Sequence, residues 1–156
     1  MAEGFRRGVR LAVDWGDVRI GVAACDPDGV LAYPLATVRA TGNEIADLVS
    51  LIATHHPIEV LVGLPKSLAG GEGPAAAEAR QRALRLSSAA PVPVRLVDER
   101  LSTVTAAGRL RESGRRANQQ RGSIDAAAAV VILEQALAVE RTQGGPPGEL
   151  VSAGPG

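Results

Sequence analysis

A single cysteine, Cys25, stands in 156 residues, so an intramolecular disulfide and a cysteine zinc cluster are both excluded. Aromatic residues are scarce. Phe5, Trp15 and Tyr33 are the only three, so the core must be aliphatic and alanine-rich, and a stacking platform for single-stranded nucleic acid is not provided. Lysine occurs once, as Lys66, and the other 16 of the 17 basic residues are arginine. Seventeen acidic residues balance them to a net charge of zero, which argues against a strongly basic duplex binder but leaves room for a local patch. No stretch approaches the roughly 18–20 apolar residues of a membrane helix, and the opening MAEGFRRGVR has no apolar signal region, so a cytoplasmic protein is expected.

What is present suffices for one domain. Hydrophobic residues make up 46% of the chain, and at this length no disulfide or metal is required for folding. Val9–Trp15 and Val18–Cys25 read as strands joined by a tight turn at Gly16-Asp17, and Val30–Val38 follows the turn Asp26-Pro27-Asp28-Gly29. Ile45, Leu48, Val49 and Ile52 recur at helical spacing between Asn43 and His55, with Pro57 closing the helix. Ile58–Leu64 is a near-continuous apolar run, the pattern of a strand covered on both faces. A Gly-rich loop over 65–73 precedes a helix over Pro74–Ser88, and Pro93–Val97 is a further strand. Ser102 caps a helix reaching Glu112, and Ser123 caps a last one reaching Arg141. The expected architecture is α/β, a mixed five-stranded sheet with its first three strands antiparallel, flanked by helices. Residues 1–141 form the domain and 142–156 a disordered Gly/Pro-rich tail.

Asp14 lies at the end of the first strand, Asp98 and Glu99 at the end of the last, and Asp125 in the first turn of the final helix. If the first and last strands are parallel neighbours, their carboxyl ends meet where open α/β sheets place their sites. Asp125, Ala129, Ile132 and Ala136 share one helical stripe, which turns Asp125 toward the sheet. Acids gathered in a low-dielectric cleft repel one another unless a cation lies between them, and all-oxygen ligands suit Mg²⁺ or Mn²⁺. Two such ions would serve phosphodiester cleavage. Each acid also has an ordinary structural use: Asp125 complements a helix dipole, and Asp14 suits a turn. Asp98 and Glu99 are adjacent on extended backbone and point to opposite faces, so one of the two reaches the cleft while the other binds Arg100 or backbone.

The run from Asp14 to Ala23 (DWGDVRIGVA) resembles the D-x-G-x-x-R-I-G-V-A opening of the YqgF/RuvX family, described as Holliday junction resolvases and as pre-16S rRNA nucleases. Gly63-Leu64-Pro65 with Gly70-Gly71-Glu72-Gly73 is similar to its G-L-P loop, Asp98–Thr103 (DERLST) to its D-E-R-L-[ST]-T motif, and Ile124–Ala129 (IDAAAA) to its I-D-x-x-A-A helix start. The four motifs occur in order across residues 14–133. The resemblance implies a ribonuclease H-like fold and metal-dependent endonuclease chemistry, with Asp14, Glu99 and Asp125 as the catalytic, metal-holding acids and Asp98 in reserve. It departs from the pattern at Val18, where members often carry Lys, so positive charge rests more heavily on Arg19.

From Arg95 to Arg121 seven arginines face three acids, Asp98, Glu99 and Glu112. Arg19, Lys66, Arg100, Arg115, Arg116 and Arg121 are the expected nucleic-acid contacts, binding backbone in a salt-dependent way. Lys66 is not a Walker A lysine, because Pro65 stands where that loop needs a glycine N–H. His55 and His56 suit a helix end, Cys25 suits the core, and Asp26–Gly29 is a turn that departs from a calcium loop at Val30 and Ala32. The expected substrate is branched DNA or precursor rRNA, and junction cutting calls for a two-fold homodimer. Two competing readings remain. One is a non-catalytic nucleic-acid or ribosome-binding module of the same fold. The other follows from the similarity of the D-x-G hairpin to the phosphate loop of sugar kinases and actin-like ATPases, which need two such domains where this chain supplies one.

Overall fold

A computed structural model describes residues 5–67, 69–99 and 121–151, with side chains omitted at 121–125. Six strands form one mixed sheet in the order β3-β2-β1-β4-β5-β6. The strands are β1 (Arg10–Trp15), β2 (Arg19–Cys25), β3 (Ala32–Arg39), β4 (Glu59–Leu64), β5 (Val94–Asp98) and β6 (Glu149–Leu150). The first three are antiparallel, as the tight turns between them require. β1, β4 and β5 are parallel, so their carboxyl ends lie side by side.

Helices α1 (Glu44–His55) and α2 (Pro74–Ala89) cover one face, and α3 (Arg121–Gln143) covers the other. Strand alternation assigns the side chains. Leu11, Val13, Val60, Val62, Val94 and Leu96 pack with Leu48 and Ile52 of α1 and Ala79, Ala83 and Leu86 of α2. Ala12, Ala23, Cys25, Leu61 and Val97 pack beneath Ala129, Ile132, Leu133 and Ala136 of α3. β4 is buried along its whole length, which explains its unbroken apolar run.

The structure corrects three sequence expectations. The sheet has six strands rather than five, and the sixth lies in the stretch read as a disordered tail. There β5 would otherwise leave an edge unpaired: the Val151 N–H bonds the Val94 carbonyl at 2.9 Å, and Glu149 bonds Arg80 at 2.6 Å. β3 starts at Ala32 rather than Val30, because the Asp26 carboxylate accepts the Val30 and Leu31 N–H groups at 2.8 and 2.6 Å and holds both in the turn. Those bonds also draw the Asp26 carboxyl below its usual range, led by the bond from Leu31. α1 runs to His55 as the spacing predicts, and His56 caps it in the left-handed region (φ 49°), its N–H bonded to the Ile52 carbonyl, directly before Pro57. α3 is described from Arg121, so Ser123 lies inside the helix, past the position from which it could cap it, and Asp125 lies inside with it. The helix expected over Ser102–Glu112 lies outside the described residues.

At the amino ends of the parallel strands a charge cluster ties five segments together. Arg6 pairs with Glu59 at 2.5 Å and with Glu140 at 2.7 Å, Arg10 pairs with Glu140 at 3.0 Å, and Arg95 pairs with Glu59 at 2.9 Å. Arg10, Glu59 and Glu140 are almost fully buried. Burial alone would raise the Glu140 carboxyl, but hydrogen bonds from Arg6 and the charge of Arg10 outweigh it and hold the group below its usual range. A depressed native value means that stability is complete above the ordinary carboxyl range and is lost as pH falls through the native one. Removing one partner of such a pair strands the rest, so Glu140→Gln is expected to cost about 3–5 kcal/mol. At about 2–4 °C per kcal/mol this lowers the Tm by roughly 10 °C at pH 7. Thermal denaturation should show the gap between variant and wild type narrowing toward acid pH.

Candidate active site

Asp14 sits at the carboxyl end of β1, paired across the ladder with Gly21 of β2. Gly16 then allows the sharp return into β2: its N–H bonds the Arg19 carbonyl at 3.0 Å, and a Cβ there would stand 2.5 Å from that oxygen. Strand alternation puts Asp14 on the same face as Ala12, beneath α3. Gly63 on β4 follows Val62, the partner of Val13, so it lies alongside Asp14 on that face.

Glu99 follows β5, its N–H bonded to the Leu64 carbonyl at 3.3 Å. One residue separates it from Val97, which packs under α3, so Glu99 also turns to that face. Its carboxylate lies over Gly63: a Cβ added to that glycine would collide with Glu99 Oε2 and stand 2.9 Å from Ile132 Cδ1 of α3. Gly63 is therefore the floor that admits this carboxylate, and Ile132 is its apolar wall. Burial pushes the Glu99 carboxyl above its ordinary range, and the charges of Asp14 and Asp98 push it further. Three carboxylates are thus electrostatically coupled at one sheet end, with Asp14 and Glu99 sharing the face under α3.

α3 runs antiparallel to β1 and β4. Its Glu140 end meets the amino-end charge cluster, and Ile132 reaches the acids, so its first turns approach the carboxyl ends of the strands. Ala129, Ile132 and Ala136 of the expected stripe are buried. Asp125 lies two helical turns before Ile132 on that stripe, and its side chain lies outside the described residues. Among the described residues no three His, Cys, Asp or Glu side chains form a complete metal-holding group. Even so, the chemistry fits hard divalent cations. The donors are all carboxylate oxygens, Gly63 leaves space beside one of them, and the repulsion that raises Glu99 is what a cation would relieve.

Arg19 opens β2 on the α3 face, at the same sheet end as Asp14. Lys66 follows β4 at that end, but its charge also acts on Glu72 and Glu149, contributing to their lowered carboxyl values behind the larger effect of Arg80. Arg100, Arg115 and Arg116 lie outside the described residues, as does the side chain of Arg121. Cys25 is buried, as its place in the pattern suggested. A groove of about 900 Å³ lined by Trp15, Glu44, Glu78, Arg82 and Arg85 lies on the opposite face, behind the hairpin.

Sequence reasoning missed Arg82 on α2. Its guanidinium donates to the Trp15 carbonyl at 3.3 Å and to Asp17 Oδ1 at 2.9 Å, and it pairs with Glu78 one turn earlier. It therefore braces the hairpin that carries Asp14. No spacing rule could reveal this, because the contact bridges 67 positions.

A model of the RuvX family, described as Holliday junction resolvase, matches residues 8–139. The chain belongs to this family. A Streptomyces coelicolor member named "Putative pre-16S rRNA nuclease" is 59% identical over 148 residues, covering 93% of this chain and 89% of its own length. A Nocardioides protein of the same name is 51% identical over 153 residues, covering 94% and 98%. Among solved structures, Thermus thermophilus RuvC in complex with a Holliday junction superposes with a TM-score of 0.59 at 16% identity, covering 89% of this chain and 99% of that one. That likeness establishes the ribonuclease H-like fold. As a RuvX family member whose relatives are named nucleases, the chain is a nuclease, a hydrolase of phosphodiester bonds. No helix among the described residues is long and apolar enough to cross a membrane.

Two outcomes follow for this RuvX family site. The folded Glu99 carboxyl binds its proton more tightly than the unfolded chain does, so its ionisation destabilises the fold as pH rises through the interval between the two values. Glu99→Gln should therefore melt higher than wild type at neutral pH without divalent ions and gain less from added Mg²⁺ or Mn²⁺; a lower Tm with undiminished cation stabilisation would contradict this. Arg82→Ala removes pairs whose carboxylates are largely exposed, worth about 1 kcal/mol or less, a Tm change within about 4 °C. By loosening the Asp14 hairpin it should slow nucleic-acid cleavage roughly ten- to a hundredfold, and cleavage at the wild-type rate would show that the hairpin holds its shape without the brace.

Proposed function

We propose that the chain is a metal-dependent endonuclease acting on structured nucleic acid in the cytoplasm, with Asp14, Glu99 and Asp125 holding Mg²⁺ or Mn²⁺. The observation that carries this reading is the convergence of Asp14 and Glu99 beneath α3, with the Glu99 carboxyl raised by burial and by its acidic neighbours. Divalent ions bound there would activate a water for in-line attack and offset charge developing on the phosphate. The chain's own groups set the geometry. β1 and the end of β5 fix two carboxylates on one face, Gly63 admits the second, and Ile132 limits water beside it. Asp98, one residue before Glu99 at the same sheet end, adds its charge to that of Asp14 on Glu99 and is kept as the reserve ligand.

Arg19 would contact the phosphate backbone beside the acids, with Lys66, Arg100, Arg115, Arg116 and Arg121 extending that contact, so sequence preference should be slight. Relatives at 51–59% identity carry the pre-16S rRNA nuclease name and favour a ribosomal precursor, whereas the family description favours a DNA four-way junction. Symmetric junction cutting needs a two-fold homodimer, so sedimentation as a monomer at micromolar concentration would leave the RNA precursor as substrate.

The direct test is cleavage of a branched DNA and a precursor RNA side by side with Mg²⁺, Mn²⁺ or EDTA. Asp14→Asn and Asp125→Asn are each expected to reduce cleavage by about 10²-fold or more, since even partners of metal ligands are worth about 10–100-fold. Both should retain most substrate binding. Unchanged cleavage in both variants, or full activity in EDTA, would reject the assignment.

A further inference from the structure

Arg19 and Arg39 are direct partners across the antiparallel β2–β3 ladder. Ile20 and Val38, the next pair inward, both point into the α1/α2 core, so the two arginines point to the α3 face. Directly opposed side chains on such a ladder have Cβ atoms about 4.5–5.5 Å apart, where like charges destabilise the pair. Among the described residues, neither guanidinium has an ion-pair or hydrogen-bond partner. The contrast is informative: Arg6, Arg10, Arg80, Arg82 and Arg95 each pair with one or more carboxylates. Two opposed cations with no acid between them among the described residues make a fork for an external anion.

The location identifies that anion. Arg19 stands two residues beyond Gly21, the partner of Asp14, toward the open end of the sheet. By strand geometry the arginine pair is displaced from Asp14 by about 7 Å along the strands and about 5–10 Å across them. That is the scale of a neighbouring phosphate on the strand whose scissile group lies at the acids, and each guanidinium can present two N–H groups to phosphate oxygens. We infer that Arg19 and Arg39 together clamp a phosphate of the substrate backbone next to the one cleaved, with Arg39 as a binding residue outside every recognised motif. The inference rests on the nuclease reading and adds to it the direction in which the strand leaves the acids, toward the β3 edge.

The test measures binding of a branched DNA and a precursor RNA across a salt series, using the Asp14→Asn protein so that substrate persists. Adding Arg39→Gln is expected to weaken binding of the recognised substrate roughly tenfold. It should also lower the slope of log affinity against log salt by about 0.9 on duplex, or about 0.7 on single strand, with no change in sequence preference. Arg39→Lys should retain the slope because it keeps the charge. Arg85→Gln, on the opposite face, should match the parent. Thermal melting separates a folding defect from lost binding, since Arg39 is exposed and at a strand end. A parent that binds while Arg39→Gln shows the parent's affinity and slope overturns the clamp and leaves the nuclease reading standing. A parent that binds neither nucleic acid overturns both.

Discussion

Mutual repulsion between carboxylates in a poorly hydrated corner is the constraint on which the rest of the structure depends. Asp14 and Glu99 arrive there on different strands, and the fold holds them on one face although burial and charge both oppose ionisation of Glu99. Parallel pairing of β1, β4 and β5 fixes the strand ends laterally, and the absence of a side chain at Gly63 provides the space. A divalent cation held there, as the proposed function requires, would reverse the sign of this arrangement and turn the repulsion between the acids into a set of ligands.

Rigidity for this comes from the opposite end of the sheet. Arg6, Arg10, Arg95, Glu59 and Glu140 tie the amino-terminal segment, β1, β4, β5 and the last turns of α3 into one cluster, each buried acid meeting more than one guanidinium. α3 spans the sheet from this cluster to the acids, so the cluster anchors the helix whose other end carries Asp125. Arg82 plays the local counterpart, fastening the hairpin behind Asp14 to α2. The candidate site is therefore held from behind and from below.

Much of this was legible in the chain, for identifiable reasons. The Ile58–Leu64 run announced a doubly covered strand because burial on both faces suppresses alternation. Asp14 and Asp98-Glu99 were recognisable because strand ends in open α/β sheets converge. Misjudged elements were those decided by distant partners. β6 formed from an unpromising Gly/Pro-rich stretch because β5 offered an unpaired edge and Arg80 offered a charge. Val30 and Leu31, apolar enough to suggest strand, were claimed by the Asp26 carboxylate.

By itself the sequence determined the order of strands and helices from β1 to β5, the candidate acids and the family, since these follow from local periodicity and short motifs. Only the tertiary structure decided that Glu99 reaches the face that Asp14 shares, that Gly63 makes room for it, and that Arg39 stands opposite Arg19. Each depends on strand register, and register is set by pairing between segments far apart in the chain, where a one-residue slip exchanges the two faces of a sheet.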